Sequence, residues 1–225
     1  MSQFVISDIH GNLKTFEALL KRIDFRKKDE LFILGDYIDR GPDSKGVIDT
    51  IFRLRKEGYT LHCLKGNHEE ALLKSREDQE QYHSWLHWGG SATLKSFNTR
   101  NWTGIPAKYW DFFESLDLYF EVDRYILVHA GLNFDTPTPL ENKHSMMWIR
   151  NWYEDINYKW LGDRIVIHGH TPVGRDKILK AHKDLDKNQV IDIDNGCFVD
   201  FKPGMGNLCA MELDSHLLMF QPRLD

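Results

Sequence analysis

Short apolar runs alternate with longer amphipathic stretches at the start of the chain. Residues 4–6, 31–34 and 60–64 are the apolar runs, and their length and composition predict buried β-strands. Between them, apolar residues recur at helical spacing, first over 13–23 and then over 47–54. Short apolar strands that alternate with helices predict a largely parallel sheet with both faces buried. This part of the chain is therefore expected to fold as β-α-β-α-β.

The pattern changes in the middle of the chain. Residues 69–117 are polar, rich in aromatic side chains and mostly helical in pattern, which predicts a helical lobe beside the sheet. Residues 132–163 form a long irregular stretch, and such a connection is often a functional loop. We expect one domain, residues 1–225, that includes the lobe. The remaining predicted strands are residues 118–122 and 125–128 as one hairpin, 164–167, 190–193, and 208–213 with 217–220 as a second hairpin.

The composition is that of an ordinary globular protein, with 41% hydrophobic and 28% charged residues. A net charge of −5 argues against nucleic acid and against an acidic membrane surface as partners. No apolar run reaches the length of a membrane span, and the first residues lack the pattern of a signal peptide. The three cysteines, Cys63, Cys197 and Cys209, are widely spaced and fit reduced thiols. Together these features predict a cytoplasmic protein.

Five polar clusters share one set of metal-binding side chains. They are residues 7–11, 35–41, 66–69, 129–131 and 168–171, and four of them come right after an apolar run. In an open α/β sheet, ligands bind outside the carboxyl ends of the strands, so we expect the clusters to meet at one edge. Carboxylates, imidazoles and a carboxamide hold small divalent cations. The clusters therefore predict a metal-dependent site that cleaves phosphate esters.

Each cluster has an ordinary structural explanation when it is taken alone. Asp8-x-His10 would more often be a turn or a helix cap than a pair of ligands. Asp39-Arg40 would more often be a solvated surface pair, and a lone His129 at a strand end would usually be structural. It is the co-occurrence of all five clusters that favours the metal site.

For two further groups of side chains, the sequence is compatible with either a functional role or a packing role. His168 shares a strand face with the last cluster, and we expect it to pack or to support the site rather than to bind metal. Trp148, Trp152 and Trp160 could line a substrate cleft, but large aromatic side chains are more often half-buried packing groups.

With these motifs, the chain resembles the metallophosphoesterase superfamily and, within it, the phosphoprotein phosphatase family. The likeness is greatest to the lambda phage-like bacterial serine/threonine protein phosphatases. This resemblance implies an α/β fold, a β-sandwich of two mixed sheets flanked by helices, with the helical lobe over the site. The motifs that carry it are Asp8-x-His10-Gly11, Gly35-Asp36-x-x-Asp39-Arg40-Gly41, Gly66-Asn67-His68-Glu69, His129-Ala130-Gly131 and Gly169-His170-Thr171.

The resemblance also implies a dinuclear metal centre. Two divalent cations roughly 3.5–4 Å apart can share and activate one water molecule for direct hydrolysis of the phosphate. Mn²⁺ is the expected metal, and iron or zinc would also suit mixed oxygen and nitrogen ligands. The implied ligands are Asp8, His10 and Asp36 for one metal and Asp36, Asn67, His129 and His170 for the other.

Other residues of the same clusters take non-ligand roles by resemblance. His68 would be the general acid that protonates the leaving group, and Asp39 would hold its ring in orientation. Arg40 and Arg150 would bind the phosphate oxygens, together with Asn67. These roles require a phosphate ester as substrate.

Three functions are compatible with the motifs. The first is a metal-dependent phosphomonoesterase that acts as a serine/threonine protein phosphatase. The alternative is a hydrolase of dinucleoside tetraphosphates such as Ap4A. The third is a metal-binding scaffold without catalysis, which His68 and Arg40 argue against because neither is needed merely to hold metal. The expected partner is a phosphoprotein or a small phosphorylated substrate, and the sequence carries no signal for the oligomeric state.

Overall fold

The computed structural model describes residues 1–200 and 202–225, and its centre is a pair of β-sheets. The first sheet has five strands in the order β3-β2-β1-β8-β9, and the second has four in the order β4-β5-β6-β7. The strands are β1 (Gln3–Ile6), β2 (Glu30–Ile33), β3 (Thr60–Cys63), β4 (Tyr119–Val122), β5 (Tyr125–Val128), β6 (Ile165–His168), β7 (Val190–Asp192), β8 (Asn207–Glu212) and β9 (Leu218–Pro222).

Both sheets are mixed, as the resemblance implies. In the first sheet, β1, β2 and β3 are parallel, whereas β8 runs antiparallel to β1 and to β9. In the second sheet, β4 and β5 form an antiparallel hairpin, and β5, β6 and β7 are parallel. The predicted strands and both predicted hairpins are therefore confirmed, as is the fold class.

Helices flank the sheets and also fill the predicted lobe. The first two, α1 and α2, connect the parallel strands of the first sheet, and four more lie between β3 and β4. None of the helices in the described part of the chain is long and apolar enough to cross a membrane. The helices are α1 (Leu13–Arg22), α2 (Ser44–Lys56), α3 (Asn67–Lys74), α4 (Gln79–Trp85), α5 (Ser91–Ser96), α6 (Ala107–Glu114), α7 (Lys143–Trp148), α8 (Tyr158–Leu161), α9 (Arg175–Lys183) and α10 (Leu185–Asn188).

Two helices between β6 and β7, α9 and α10, were not predicted from the sequence. Helix α9 follows β6 and packs beside β7, but only Ile178 on it is buried. A helix with a single buried residue has only a narrow apolar face, so its periodic signal in the sequence is weak. Helices α7 and α8 likewise lie inside the stretch 132–163 that was predicted to be irregular.

The apolar strands are buried on both faces, which explains why they read as continuous runs. Val5 and Phe32 of the first sheet share one core with Leu127, Ile167 and Ile191 of the second, so the two sheets pack against each other. The strand neighbours of Val5 and Phe32 point the opposite way, into a second core under α1 and α2. The outer face of the second sheet covers a third core, which contains residues of the stretch 132–163.

Candidate active site

The predicted site residues stand on unusually turned backbone just beyond the strand ends. Six of them, which are not glycines, have positive φ angles in the left-handed region, where an L residue is strained by about 1–3 kcal/mol. Such strain persists only where the surrounding structure fixes it, and it concentrates at functional sites. The six residues are Asp8, His10, Asp36, Asp39, Arg40 and His170.

The close approach of two of these turns depends on a glycine. Gly35 has a φ of +107°, and a side chain on it would place its Cβ 2.5 Å from the backbone nitrogen of Gly66. This contact brings the turn after β2 against the turn after β3. Asp36 and Asn67, which follow these two glycines, are thereby held side by side.

The first group of predicted metal ligands gathers around His10. Its Nε2 atom lies 3.4 Å from Oδ2 of Asp36 and 4.0 Å from Oδ1 of Asp8. The other ring nitrogen, Nδ1, is 2.8 Å from the carbonyl oxygen of Ile38. Because a ring N–H that donates to a carbonyl leaves a lone pair on the opposite nitrogen, Nε2 of a neutral His10 can bind a cation.

The second group gathers around the carboxamide oxygen of Asn67. This oxygen lies 3.0 Å from Nε2 of His129 and 2.8 Å from Nδ1 of His170. The His129 ring is oriented by its Nδ1 atom, 2.9 Å from the carbonyl oxygen of Leu34. Residues from three separate strand ends therefore converge on one point, as the clusters predicted.

Asp36 connects the two groups. Its Oδ2 atom faces His10, whereas its Oδ1 atom lies 3.6 Å from Nε2 of His129. Burial alone would raise the pKa of Asp36, but the imidazoles of His129, His68 and His10 outweigh burial and hold this pKa well below its usual value. Asp36 is thus an ionised carboxylate with one oxygen directed to each group.

The donor set fits metal ions. Nε2 of the oriented His129 ring faces one oxygen of Asn67 and one of Asp36. All three atoms carry lone pairs and none carries a hydrogen to donate, so a bound cation would offset their mutual repulsion. Two buried atoms, Oδ1 of Asp8 and Nε2 of His170, also have no hydrogen-bond partner within residues 1–200 and 202–225. Groups that could hold an ion are formed by His10, Asp36 and His68 and by Asp36, His129 and His170.

His68 and Asp39 form a buried pair next to the two groups of candidate metal ligands. Nδ1 of His68 lies 2.7 Å from Oδ2 of Asp39, and both side chains are almost fully buried. Asp39 is itself held by the helical lobe, because it accepts hydrogen bonds from the indole of Trp85 at 3.0 Å and the hydroxyl of Thr93 at 2.6 Å. The lobe therefore closes over the site and fixes the carboxylate that orients His68.

The imidazoles of the site differ in the direction of their pKa shifts. Burial lowers the pKa of His10 well below its usual value, and burial together with His129 lowers that of His170 to about 2. Burial opposes charge on His68 too, but Asp36 and the hydrogen bond to Asp39 outweigh it and raise its pKa. His10 and His170 are therefore kept neutral, as metal binding requires, and His68 is biased toward carrying a proton.

The two predicted phosphate arginines lie at the exposed rim. Arg40 places Nη1 3.2 Å from Nε2 of His10 and stacks its guanidinium on Phe198, 4.0 Å from the ring centroid. Arg150 donates to the hydroxyl of Thr171 at 2.8 Å, next to His170. Arg40 and Arg150 are both exposed residues that contact or adjoin members of the buried ligand set.

Sequence reasoning gave no role to Glu69. This side chain is fully buried, and its oxygens accept backbone N–H groups from Asp36 at 2.9 Å, Tyr37 at 2.9 Å and Gly66 at 3.0 Å. Its position, three residues after Gly66 at the start of α3, is that of a capping-box carboxylate. That spacing was the available signal, but it points only to helix capping and not to the turn that carries Asp36.

The structure shows the surroundings of His168 and of the three tryptophans whose roles the sequence did not decide. The Nε2 atom of His168 lies 3.1 Å from the hydroxyl of Tyr153, within hydrogen-bond distance. His168 is not part of the two groups that could hold a metal ion. Trp152 is buried and donates to the carbonyl of Ala130 at 3.2 Å, and Trp160 packs on Phe134. Trp148 is only partly buried and packs edge-to-face on the exposed Trp88.

A two-sheet α/β sandwich that gathers carboxylates, imidazoles and a carboxamide at its strand ends defines a class, the metal-dependent phosphoesterases. The sequence model of the calcineurin-like phosphoesterase family matches residues 1–196. The chain therefore belongs to the calcineurin-like phosphoesterases and is a metallophosphoesterase hydrolase. Members of this family typically use a dinuclear metal site, and bound divalent cations would activate water and neutralise phosphate charge here.

Individual relatives support this assignment. A bis(5'-nucleosyl)-tetraphosphatase PrpE (asymmetrical) from Oceanobacillus iheyensis is 25% identical over 224 residues, covering 86% of this chain and 83% of that protein. A symmetrical bis(5'-nucleosyl)-tetraphosphatase from Buchnera aphidicola subsp. Acyrthosiphon pisum is 40% identical over 140 residues, covering 59% of this chain and 45% of that protein. A protein serine/threonine phosphatase structure from Saccharomyces cerevisiae has a TM-score of 0.67 at 14% identity, covering 100% of this chain and 81% of that one, and shows the fold alone.

Proposed function

We propose that this protein hydrolyses dinucleoside tetraphosphates such as Ap4A. The observation that carries the proposal is the relationship to a bis(5'-nucleosyl)-tetraphosphatase over 86% of this chain. Relatives with that name favour the predicted alternative over the serine/threonine protein phosphatase that the sequence motifs put first. The geometry is compatible with it, because the buried ligand set opens toward a rim with two exposed arginines that suit a polyphosphate chain.

The ligand set would hold two divalent cations. Asp8, His10 and Asp36 would bind one, and Asp36, Asn67, His129 and His170 would bind the other. Mn²⁺ is the metal we propose, because mixed carboxylate, imidazole and amide ligands suit it, and iron or zinc fits the same ligand types.

His68 would serve as the general acid of the reaction. Its Nδ1 atom is engaged by Asp39 at 2.7 Å, which leaves Nε2 to deliver a proton to the leaving oxygen. Arg40, Arg150 and Asn67 would bind oxygens of the phosphate chain and so hold the bond to be cleaved within reach of His68. For a tetraphosphate, the leaving group is a nucleotide phosphate, which leaves more easily than the alkoxide of serine.

A direct comparison of substrates tests the proposal. Metal-reconstituted enzyme should hydrolyse Ap4A with a larger kcat/KM than a phosphoserine peptide, both measured in the same Mn²⁺ buffer. Identification of the nucleotide products by ion-exchange chromatography would also separate symmetrical from asymmetrical cleavage. A larger kcat/KM for the phosphopeptide would overturn the proposal in favour of the protein phosphatase.

A further inference from the structure

An exposed aromatic group lies where the helical lobe meets the stretch 132–163. Trp88 is 40% exposed, and its ring centroid lies 5.4 Å from that of Trp148 in an edge-to-face arrangement. His144 in turn stacks on Trp148 with the ring planes 16° apart. We refer to Trp88, Trp148 and His144 as the aromatic shelf. Large apolar side chains that stay exposed beside a buried site are a common mark of ligand binding.

The shelf also carries an unpaired hydrogen-bond donor. The indole Nε1 atom of Trp148 is buried, yet no acceptor lies within reach in the part of the chain that the structure describes. Indole N–H groups that are buried normally find an acceptor. The indole of Trp85, by comparison, donates to Asp39. Because this atom is closed to solvent, a ring nitrogen or carbonyl oxygen of a ligand would reach it only if the Trp148 ring turned on binding.

One end of the shelf is joined directly to Arg40. Trp88 precedes Gly89, whose carbonyl oxygen accepts the backbone N–H of Arg40 at 3.3 Å. A Cβ atom on Gly89 would lie 2.9 Å from the backbone nitrogen of Arg40, so the two backbones are in close contact. Trp88 is therefore fixed beside one of the two proposed phosphate-binding arginines.

The other end of the shelf leads to Arg150. Trp148 is the last residue of helix α7 and comes two residues before Arg150. The Cα atoms of the two residues are therefore at most about 7 Å apart. Arg150 then donates to Thr171, the residue after His170. Each tryptophan of the shelf is thus close along the chain to a residue that contacts, or is, a proposed phosphate-binding arginine.

We propose that the aromatic shelf binds a nucleobase of the dinucleoside polyphosphate. This inference rests on the proposed function and names the part of the substrate that gives it specificity. A base is attached through ribose to the first phosphate, so it must lie just beyond the phosphate-binding residues, where the shelf is. Flat aromatic rings stack on the faces of bases, and a base also supplies acceptors for the indole N–H of Trp148.

Replacement of the exposed tryptophan tests the shelf kinetically. Base stacking on an aromatic side chain is worth enough that Trp88→Ala should lower the ratio of kcat/KM for Ap4A to that for inorganic tripolyphosphate roughly 5- to 100-fold. Tripolyphosphate has no base, so the ratio isolates base recognition from phosphate binding. Trp88→Phe should restore most of the ratio, because it keeps an aromatic face.

A matched control comes from a second tryptophan pair. Trp102 packs edge-to-face on Trp110, with centroids 6.3 Å apart, on a different part of the lobe. Trp102→Ala should therefore leave the ratio at the wild-type value. A loss of the same size in this control would show that lobe packing, rather than base binding, sets the ratio, and would overturn the inference.

Binding of AMP to chelator-treated protein gives a readout that does not depend on activity. Calorimetry should detect AMP binding to the wild type and a loss of it, matching the kinetic loss, in Trp88→Ala. If the wild type cleaves Ap4A but Trp88→Ala changes neither readout, the shelf is refuted and the proposed function stands. If the wild type does not cleave Ap4A, the proposed function fails, and AMP binding that depends on Trp88 would still support the shelf. If Trp88→Ala lost more kcat/KM for a phosphopeptide than for Ap4A, the shelf would bind a peptide, and the inference would be overturned.

Discussion

Glu69 should stabilise both the fold and the metal site, and Glu69→Gln tests this. One carboxylate oxygen accepts N–H groups from Asp36 and Gly66, and the other accepts from Tyr37 at 2.9 Å and Ile38 at 3.4 Å. Glutamine has the same shape but replaces one oxygen by an NH₂ group, which would face two N–H donors. Leaving two buried N–H groups without an acceptor should cost about 2–6 kcal/mol, since each costs about 1–3 kcal/mol.

That cost is a large share of the stability of an ordinary domain, about 5–15 kcal/mol. Urea unfolding in the presence of a chelator should show this loss of unfolding free energy in Glu69→Gln. The chelator removes bound metal, which would otherwise add its own stabilisation of the folded state. In thermal unfolding, the midpoint should fall by roughly 4 °C or more, since 1 kcal/mol corresponds to about 2–4 °C for a domain of this size.

The neighbouring Glu70 provides the control for this prediction. It forms a surface ion pair with Lys74 at 3.1 Å on the same helix, a contact worth only about 0.3–0.5 kcal/mol. Glu70→Gln should therefore unfold close to the wild type. If Glu69→Gln unfolds at the same urea concentration as Glu70→Gln, the carboxylate does not hold the turn that carries Asp36, and the reasoning is refuted.

Two further substitutions separate metal binding from proton transfer. His68→Asn should keep two metal equivalents per chain by elemental analysis while kcat for Ap4A falls about 10²–10⁴-fold, the usual contribution of a general acid; loss of one metal equivalent would instead make His68 a ligand. Asp36→Asn should weaken both metal sites together, because each oxygen of its carboxylate faces a different group of ligands. One metal equivalent retained in Asp36→Asn at wild-type affinity would contradict the bridging role.

The positions of the strands and the convergence of the polar clusters could be predicted because each depends on local sequence. A buried parallel strand must be an apolar run, and the polar residues that follow it must emerge at the carboxyl edge of the sheet. His10, Asn67 and His129 accordingly meet there, although they belong to separate strand ends. Helix α9 was missed for the complementary reason, because a helix that buries only Ile178 leaves a weak periodic signal.

The residues that hold the site could not be predicted in the same way. Glu69 bonds a turn 33 residues before it, and Trp85 and Thr93 bond Asp39 across 46 and 54 residues. No pattern within one element encodes such contacts, because they depend on how the lobe packs over the sheet. The lobe was visible as helical periodicity, but its contact with Asp39 was not.

These distant contacts explain how strained turns can form an ordered site. Asp36, Asp39 and Arg40 all have positive φ angles, and the strain at each must be offset by bonds from elsewhere. Glu69 provides them for Asp36, and Trp85 and Thr93 bond the carboxylate of Asp39. Three side chains on the helices between β3 and β4, those of Glu69, Trp85 and Thr93, therefore supply bonds that hold two of these turns. Because the helical lobe also brings Gly89, the residue after Trp88, against Arg40, the lobe that bonds these turns is the same one that we propose selects the substrate.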